Sequence, residues 1–264
     1  GVCVMAMRAI WKGVIQFGSM RVPVKVYSAS EDLRVEFNLL HETDHSPVKQ
    51  EMVCSVDGVA VPPEHQVKGV EIAEGEYVVI KPEEIEFLEP EPSREIEVQV
   101  FVKQDELDER YLERPYYLAP DEDDHLYALL LETLAKTRRA GICRWTMRKR
   151  SYWGAVQALG DMLVMTTLRN YEEVIPADAY DISTAEVSAR EQELAFFLID
   201  QLTGEFEPDK YHPVYHQRVQ ELIAQKAAGK AVTVPEPVTV PPTPERELAN
   251  LLEASIEKVR KRAA

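Results

Sequence analysis

The stretch Met7–Ala29, MRAIWKGVIQFGSMRVPVKVYSA, reads as two strands that meet at Gly18-Ser19. Successive side chains alternate across a pleat, so Ile10, Lys12, Val14 and Gln16 share one face of the first strand. Trp11, Gly13, Ile15 and Phe17 share the other. Arg21 and Lys25 fall two turns of the pleat apart on the second strand, which makes Lys12, Arg21 and Lys25 candidates for one cationic surface.

The 264 residues suit one large domain or a domain with appendages, and 45% apolar composition is enough for a substantial core. No run approaches 18 consecutive apolar residues, so a membrane span is not expected. GVCVMA lacks the basic and apolar regions of a signal peptide, and residues 1–6 are expected to be a disordered extension or an appended remnant. Cys3, Cys54 and Cys143 are odd in number and far apart, which points away from a disulfide framework and toward a reducing cytoplasm.

A net charge of −16 argues against nucleic acid as a partner until its distribution is considered. From Glu71 to Glu132 there are 20 acids against 5 bases, a net of −15 that holds nearly the whole excess. Thr133 to Arg150 carries 7 bases and no acid. An acidic exterior with basic patches follows.

The rest of the chain begins as β and ends as α. Leu33, Val35, Phe37 and Leu39 alternate with polar residues, the pattern of a half-buried strand. Residues 44–72 form a long irregular excursion carrying Lys49 and Lys68, with turns at Asp57-Gly58 and Pro62-Pro63. Further strands are expected at 76–81, 95–102, 115–120, 152–158 and 162–168. Between them, Leu126, Leu129, Leu130 and Leu134 mark a helix over 124–139, capped by Asp123 or Asp124 and ended near Gly141. Residues 142–150 alternate so that Arg144, Arg148 and Arg150 point one way at multiples of about 6.6 Å, an arrangement relieved by an anion or water. Lys149 lies beside them.

Beyond residue 180 helices are expected at about 186–202, opened by a Ser183–Glu186 capping box, and at about 213–228. Residues 231–244 form a Pro-rich linker. Leu248, Leu251, Leu252, Ile256 and Val259 stripe a final helix within 245–264 that needs a surface to dock on.

Enzyme signatures are sparse. His41-Glu42-Thr43-Asp44-His45 matches the HExxH zinc pattern, and a zinc hydrolase built on His41, Glu42 and His45 is the alternative function. Its histidines need one face of a continuous helix, whereas the motif follows a strand pattern and runs into Ser46-Pro47. No phosphate loop or nucleophile elbow is present, so no catalytic residue, metal or cofactor is assigned.

RAIWKG and VPVKVYSA, together with VKG…GEYVVI at 67–80, PYYLAPD at 115–121, CRWTMRKRSYW at 143–153 and LIDQLTGEFEPDKYHPVYHQRVQELI at 198–223, resemble the prokaryotic Ku family over about residues 7–230. The resemblance implies a mostly β fold with helical additions: a β-barrel core over 7–180 with a bridge at 44–72, and a helical dimerisation arm over 181–230. It implies a non-enzymatic, cytoplasmic, nucleoid-associated homodimer that threads onto double-stranded DNA ends in non-homologous end joining. Lys12, Arg21, Lys25, Arg34, Lys49, Lys68, Arg144, Arg148, Lys149 and Arg150 are then expected to contact phosphates. Of these, Lys12, Arg21, Lys25, Arg144 and Arg148 should share a concave surface. Phe196, Phe197, Leu202, Tyr211 and Tyr215 are expected at the dimer interface. The C-terminal helix is expected to recruit the ATP-dependent repair ligase, ligase D. The CxxC pair that relatives carry near residue 54 is absent here, as is their lysine-rich tail, so no metal site is carried over.

Overall fold

The structure, a computed structural model, describes residues 8–181 and 186–229. These fall into two units. One holds residues 8–32 and 38–176, the other Leu33–Phe37 with the residues from Ala177 onward.

The first unit is built on a closed seven-stranded barrel. Its strands are β1 (Trp11–Phe17), β2 (Met20–Ser28), β5 (Glu95–Lys103), β6 (Leu112–Pro120), β7 (Arg139–Met147), β8 (Arg150–Leu159) and β9 (Met162–Leu168). They run in the order β1-β2-β6-β9-β8-β7-β5, and the parallel pairing of β5 with β1 closes the ring. β3 (Lys68–Ala73) and β4 (Glu76–Ile80) form a separate antiparallel ribbon, followed by the short helix α1 (Pro82–Leu88).

The period-2 pattern read in the opening hairpin builds the barrel wall. Phe17 pairs with Met20 across a two-residue turn whose Gly18 has φ 55°, the left-handed conformation glycine adopts without steric cost. Ile15, Val22, Val24 and Val26 then point inward and are fully buried with Ile96, Leu118, Leu163 and Met165. Burying such side chains supplies about 1.5–3 kcal/mol each and drives closure of the barrel.

Aromatic rings fill one part of the interior. Trp145 meets Trp11, Tyr116 and Tyr152 with centroids 5.6, 5.7 and 5.4 Å away. Gly13 is required by this packing. A Cβ there would stand 2.1 Å from the Trp11 ring and 2.6 Å from the Arg94 carbonyl oxygen, which accepts from the Val14 N–H. The Trp-Lys-Gly spelling is therefore a packing instruction, with the indole lying across its own strand.

α2 (Asp124–Thr137) packs on the barrel with Tyr127, Leu130 and Leu134 buried. The Asp123 side chain accepts from the Leu126 N–H and caps its start. Tyr127 reaches into the wall: its hydroxyl donates to the Leu118 carbonyl at 2.6 Å and accepts from the Leu163 N–H at 2.9 Å, tying β6 to β9. Burial raises the pKa of that phenol. The helix ends earlier than Gly141 suggests. Arg138 takes the left-handed cap (φ 49°), and Gly141 lies inside β7, where a Cβ would meet the Phe101 ring at 3.0 Å.

Three local expectations are corrected. Residues 33–39 form no strand; alternation there has no neighbouring strand to bond with, and Leu33–Phe37 belongs to the second unit. The 142–150 stretch is two strands, because β7 stops at Met147 and Arg148-Lys149 turn the chain into β8. In the second unit, α3 (Ala189–Leu202) is opened by Ser188 and Glu191, the next Ser-x-x-Glu pattern along, while Glu186 lies ahead of the helix. α4 (Val214–Ala227) follows, and Leu194 and Val219 are the buried side chains of these two helices. The expectations for residues 1–6, 231–244 and 245–264 lie outside the described residues, as do Ser183 and Leu248, Leu251, Leu252, Ile256 and Val259.

Candidate nucleic-acid interface

The outward residues of β2, β1, β5 and β7 form a continuous row. Arg21 opposes Gln16 on β1, Gln16 opposes Glu97 on β5, and Glu97 opposes Arg144 on β7. At a strand spacing of roughly 4.8 Å the row is about 14 Å wide. Beyond Arg144 comes Trp153 on β8, 41% exposed. Lys12 and Lys25 are partners in the same hairpin and lie on the same outward side as Arg21. Barrel closure thus brings Lys12, Arg21, Lys25 and Arg144 to one wall, although about 120 residues separate the hairpin from β7. This wall is the outside of a barrel, so the concavity expected of it does not come from these strands.

Acidic partners hold these cations. Lys12 and Lys25 both reach Asp121, at 3.0 and 2.8 Å. Hydrogen bonds from Lys25 and Lys12 hold the Asp121 carboxyl below the usual carboxylate range, and the same contact raises the Lys25 pKa. Asp121 is itself anchored where β2 meets the lead into α2, its N–H donating to the Pro23 carbonyl at 3.1 Å. Arg21 donates to Gln16 at 2.7 Å and pairs with Glu95 at 3.0 Å. Arg144 lies 3.6 Å from Glu97. Gln16, Glu95, Glu97 and Asp121 join this surface without having been expected there. Gln16 was visible through its alternation with Lys12, whereas the three acids depend on pairings between distant strands.

Arg148 and Lys149 occupy the two turn positions between β7 and β8, with φ of 51° and 64°. Hairpin turns of this mirror-image kind favour Asn-Gly, because side chains crowd the backbone at positive φ. Both residues line a cleft of about 470 Å³ together with Trp11, Pro90, Pro92 and Arg94. Lys149 pairs with Glu89 at 2.7 Å, which raises its pKa through that hydrogen bond. Arg150 opens β8 opposite Met147. The expected single file of Arg144, Arg148 and Arg150 along one strand is therefore divided among a strand, a turn and a second strand.

Of the remaining candidates, Lys49 is exposed in the excursion and Lys68 is the exposed first residue of β3, opposite Ile80. Arg34 belongs to the second unit, apart from the barrel cations in the division of the chain.

The HExxH reading fails on geometry. His41 and His45 flank a tight turn, with the His45 N–H on the His41 carbonyl at 2.9 Å and His45 at φ 56°. Asp44 closes the loop by accepting from His41 Nδ1, the Ser46 N–H and the Ser46 hydroxyl. The same form recurs thirteen positions later. Gly58 donates to the Cys54 carbonyl, Val59 closes on Cys54, and Asp57 accepts from the Val59 N–H. The bridges Leu40–Pro47 and Val53–Ala60 frame the two loops alike. Local hydrogen bonds close each knuckle, and among the described residues no cluster of three or more potential metal ligands exists. Cys143 is no nucleophile either: its buried thiol, donating to the Gly154 carbonyl, has a pKa pushed up to about 12.

Large apolar side chains are exposed in both units. In the second, Phe196, Leu202, Tyr211 and Tyr215 are 64–71% exposed and Phe197 is 37% exposed. In the first, the ribbon exposes Val70, Ile72, Tyr77, Val78 and Val79 on both of its faces.

The family model for the Ku70/Ku80 beta-barrel domain matches residues 16–196. The chain is 41% identical to "Non-homologous end joining protein Ku 2" of Geotalea uraniireducens, over 97% of this chain and the full length of that protein. It is 39% identical to a protein named Ku in Koribacter versatilis, over 85% of this chain and 77% of the other. It is 32% identical to the one in Bacillus subtilis, over 97% and 83%.

Proposed function

The chain belongs to the Ku family, and we propose that it binds the ends of double-stranded DNA without reading their sequence, as a ring-shaped homodimer acting in non-homologous end joining. The observation that carries this reading is the outward row of Arg21, Gln16, Glu97 and Arg144 beside Lys12 and Lys25. Of these, Lys12, Arg21, Lys25 and Arg144 are long cationic side chains on a rigid wall, suited to phosphates. A protein with net charge −16 that nevertheless gathers cations on one barrel wall fits a polyanion held from one side.

Two features support the homodimer. The β3–β4 ribbon exposes apolar side chains on both faces, and an isolated two-stranded ribbon is marginal in water. The second unit leaves Phe196, Leu202, Tyr211 and Tyr215 largely exposed, an apolar surface that a second copy would cover. Two copies then surround a duplex, and confinement adds to weak phosphate contacts. The bridge is assigned to the 44–72 excursion with its ribbon. No bond is made or broken in this function, so no catalytic group or cofactor is required. Recruitment of the ATP-dependent repair ligase through Leu248, Leu251, Leu252, Ile256 and Val259 completes the proposal, with the protein at work on the nucleoid.

Threading makes one demand that simple charge attraction does not. A ring passes over a free end and cannot enter an uninterrupted duplex sideways. In a band-shift titration, linear DNA should be bound and closed circular DNA of the same sequence should not. Equal binding to both would reject the ring.

A further inference from the structure

Every cation on the barrel row is already matched to an acid in the DNA-free protein. Glu95 and Glu97 stand two residues apart on β5 and alternate with inward Ile96, so both face outward between β1 and β7. One holds Arg21 at 3.0 Å and the other sits 3.6 Å from Arg144. All four side chains are about half exposed, at 54% and 44% for the first pair and 59% and 51% for the second. Exposed pairs of this kind contribute little to folding. They do place a carboxylate beside each guanidinium, hydrogen-bonded to Arg21 at 3.0 Å and in ion-pair range of Arg144 at 3.6 Å, where a phosphate would otherwise sit.

We propose that Glu95 and Glu97 act as built-in phosphate mimics that mask Arg21 and Arg144, so that the threaded protein holds the duplex weakly and can slide along it. The proposal rests on the end-binding reading above. Phosphate binding at this wall is an exchange: the guanidinium leaves its carboxylate for the phosphate, and the carboxylate is left beside a polyanion. That carboxylate must take up a solvent cation, which cancels most of the counterion release that a Lys or Arg contact normally yields. Each arginine therefore gives a weak net contact. A threaded duplex is retained by confinement and remains free to slide.

Asp121 is excluded from this role. It is 15% exposed, and its backbone N–H is bonded to Pro23, so it serves to pin the hairpin to the lead of α2.

The test uses full-length protein carrying Glu95→Gln and Glu97→Gln, titrated with linear and closed circular DNA over a range of salt. The amides keep the shape and remove the charge. One recovered counterion per carboxylate corresponds to roughly eightfold tighter binding at 0.1 M salt and a slope of log K against log salt steeper by about 0.9. The double variant should show about twice that slope change and a correspondingly larger gain in affinity, with closed circles still excluded. Glu132→Gln with Asp161→Asn, on α2 and in the β8–β9 turn, changes the net charge equally at sites outside the row and should change neither property. The single variant Glu97→Gln should give half the slope change, and it serves if the double variant unfolds. Unchanged or weaker binding to linear DNA by a folded variant would overturn masking. So would an equal gain in the control pair, which would reduce the effect to net charge. Tighter binding that extends to closed circles would put the row within reach of an unthreaded duplex and overturn its place inside the ring. Wild-type protein that binds neither DNA would instead refute end binding itself.

Discussion

At Gly13 a single hydrogen atom in place of a side chain decides whether the Trp11 indole can cross β1 and meet Trp145. The Arg94 carbonyl approaches from the other strand, so an added methyl group would press on a ring and on a backbone atom together. The backbone cannot swing aside as a flexible side chain would. Gly13→Ala should therefore cost about 1–3 kcal/mol, in the range of overpacked cores. A urea titration would record a lower midpoint with unchanged slope, together with a shift in tryptophan emission as Trp11 moves. An unaltered midpoint would show that the aromatic cluster tolerates a displaced indole. Tyr127 makes the same point with polar atoms: the hydroxyl of one helical residue satisfies groups on two strands, and nothing in its local sequence predicts which two.

Among the elements, the β7–β8 hairpin is where stability and the proposed DNA contact are expected to pull apart. Each non-glycine residue at left-handed φ costs about 1–2 kcal/mol, and Arg148 and Lys149 occupy two such positions in succession. Asn and Gly would relax the turn. Strain of this sort persists where a side chain is needed for something other than folding. Replacing Arg148→Asn together with Lys149→Gly should raise the thermal midpoint and, in the same protein, reduce the salt slope on linear duplex by about one unit per lost phosphate contact. The two properties should move in opposite directions. A more stable protein with an unchanged salt slope would remove this turn from the DNA surface. The ribbon of β3 and β4 shows a related separation, since its alternating residues are apolar on both faces and its burial must come from beyond its own two strands.

For the whole molecule, the exposed aromatic residues of the second unit set the expectation for assembly. Phe196, Tyr211 and Tyr215 are each about 70% exposed, which a monomer would leave in water. Phe196→Glu with Tyr215→Glu places two charges in the proposed interface and should shift sedimentation from dimer to monomer. Binding to linear DNA should weaken sharply in parallel, because an open half-ring loses confinement and retains only masked contacts. A variant that stays dimeric would move the interface elsewhere, to surfaces such as the β3–β4 ribbon.

Local pattern in the chain encodes the hairpin, its alternation, the turn at Gly18, and the helices α2, α3 and α4 to within a few residues, whereas the β5 alternation breaks at a bulge between Val98 and Val100 that leaves Val100 exposed. The hairpin and the helices are each encoded by neighbours within about one element, where a period of 2 or 3.6 and a cap suffice. Long motif matches also pointed to the Ku family. Contacts between distant segments set the parallel pairing of β5 with β1, the absence of a strand at Leu33–Phe37, and the turn at Arg148-Lys149 within an otherwise alternating run. They also decided that Arg21 and Arg144 lie in one row with Glu95 and Glu97 beside them. Alternation tells each residue which face it occupies and is silent about which strand lies next to it. Register between distant strands, set by closure of the barrel around its apolar interior, is what turned scattered charges into a surface.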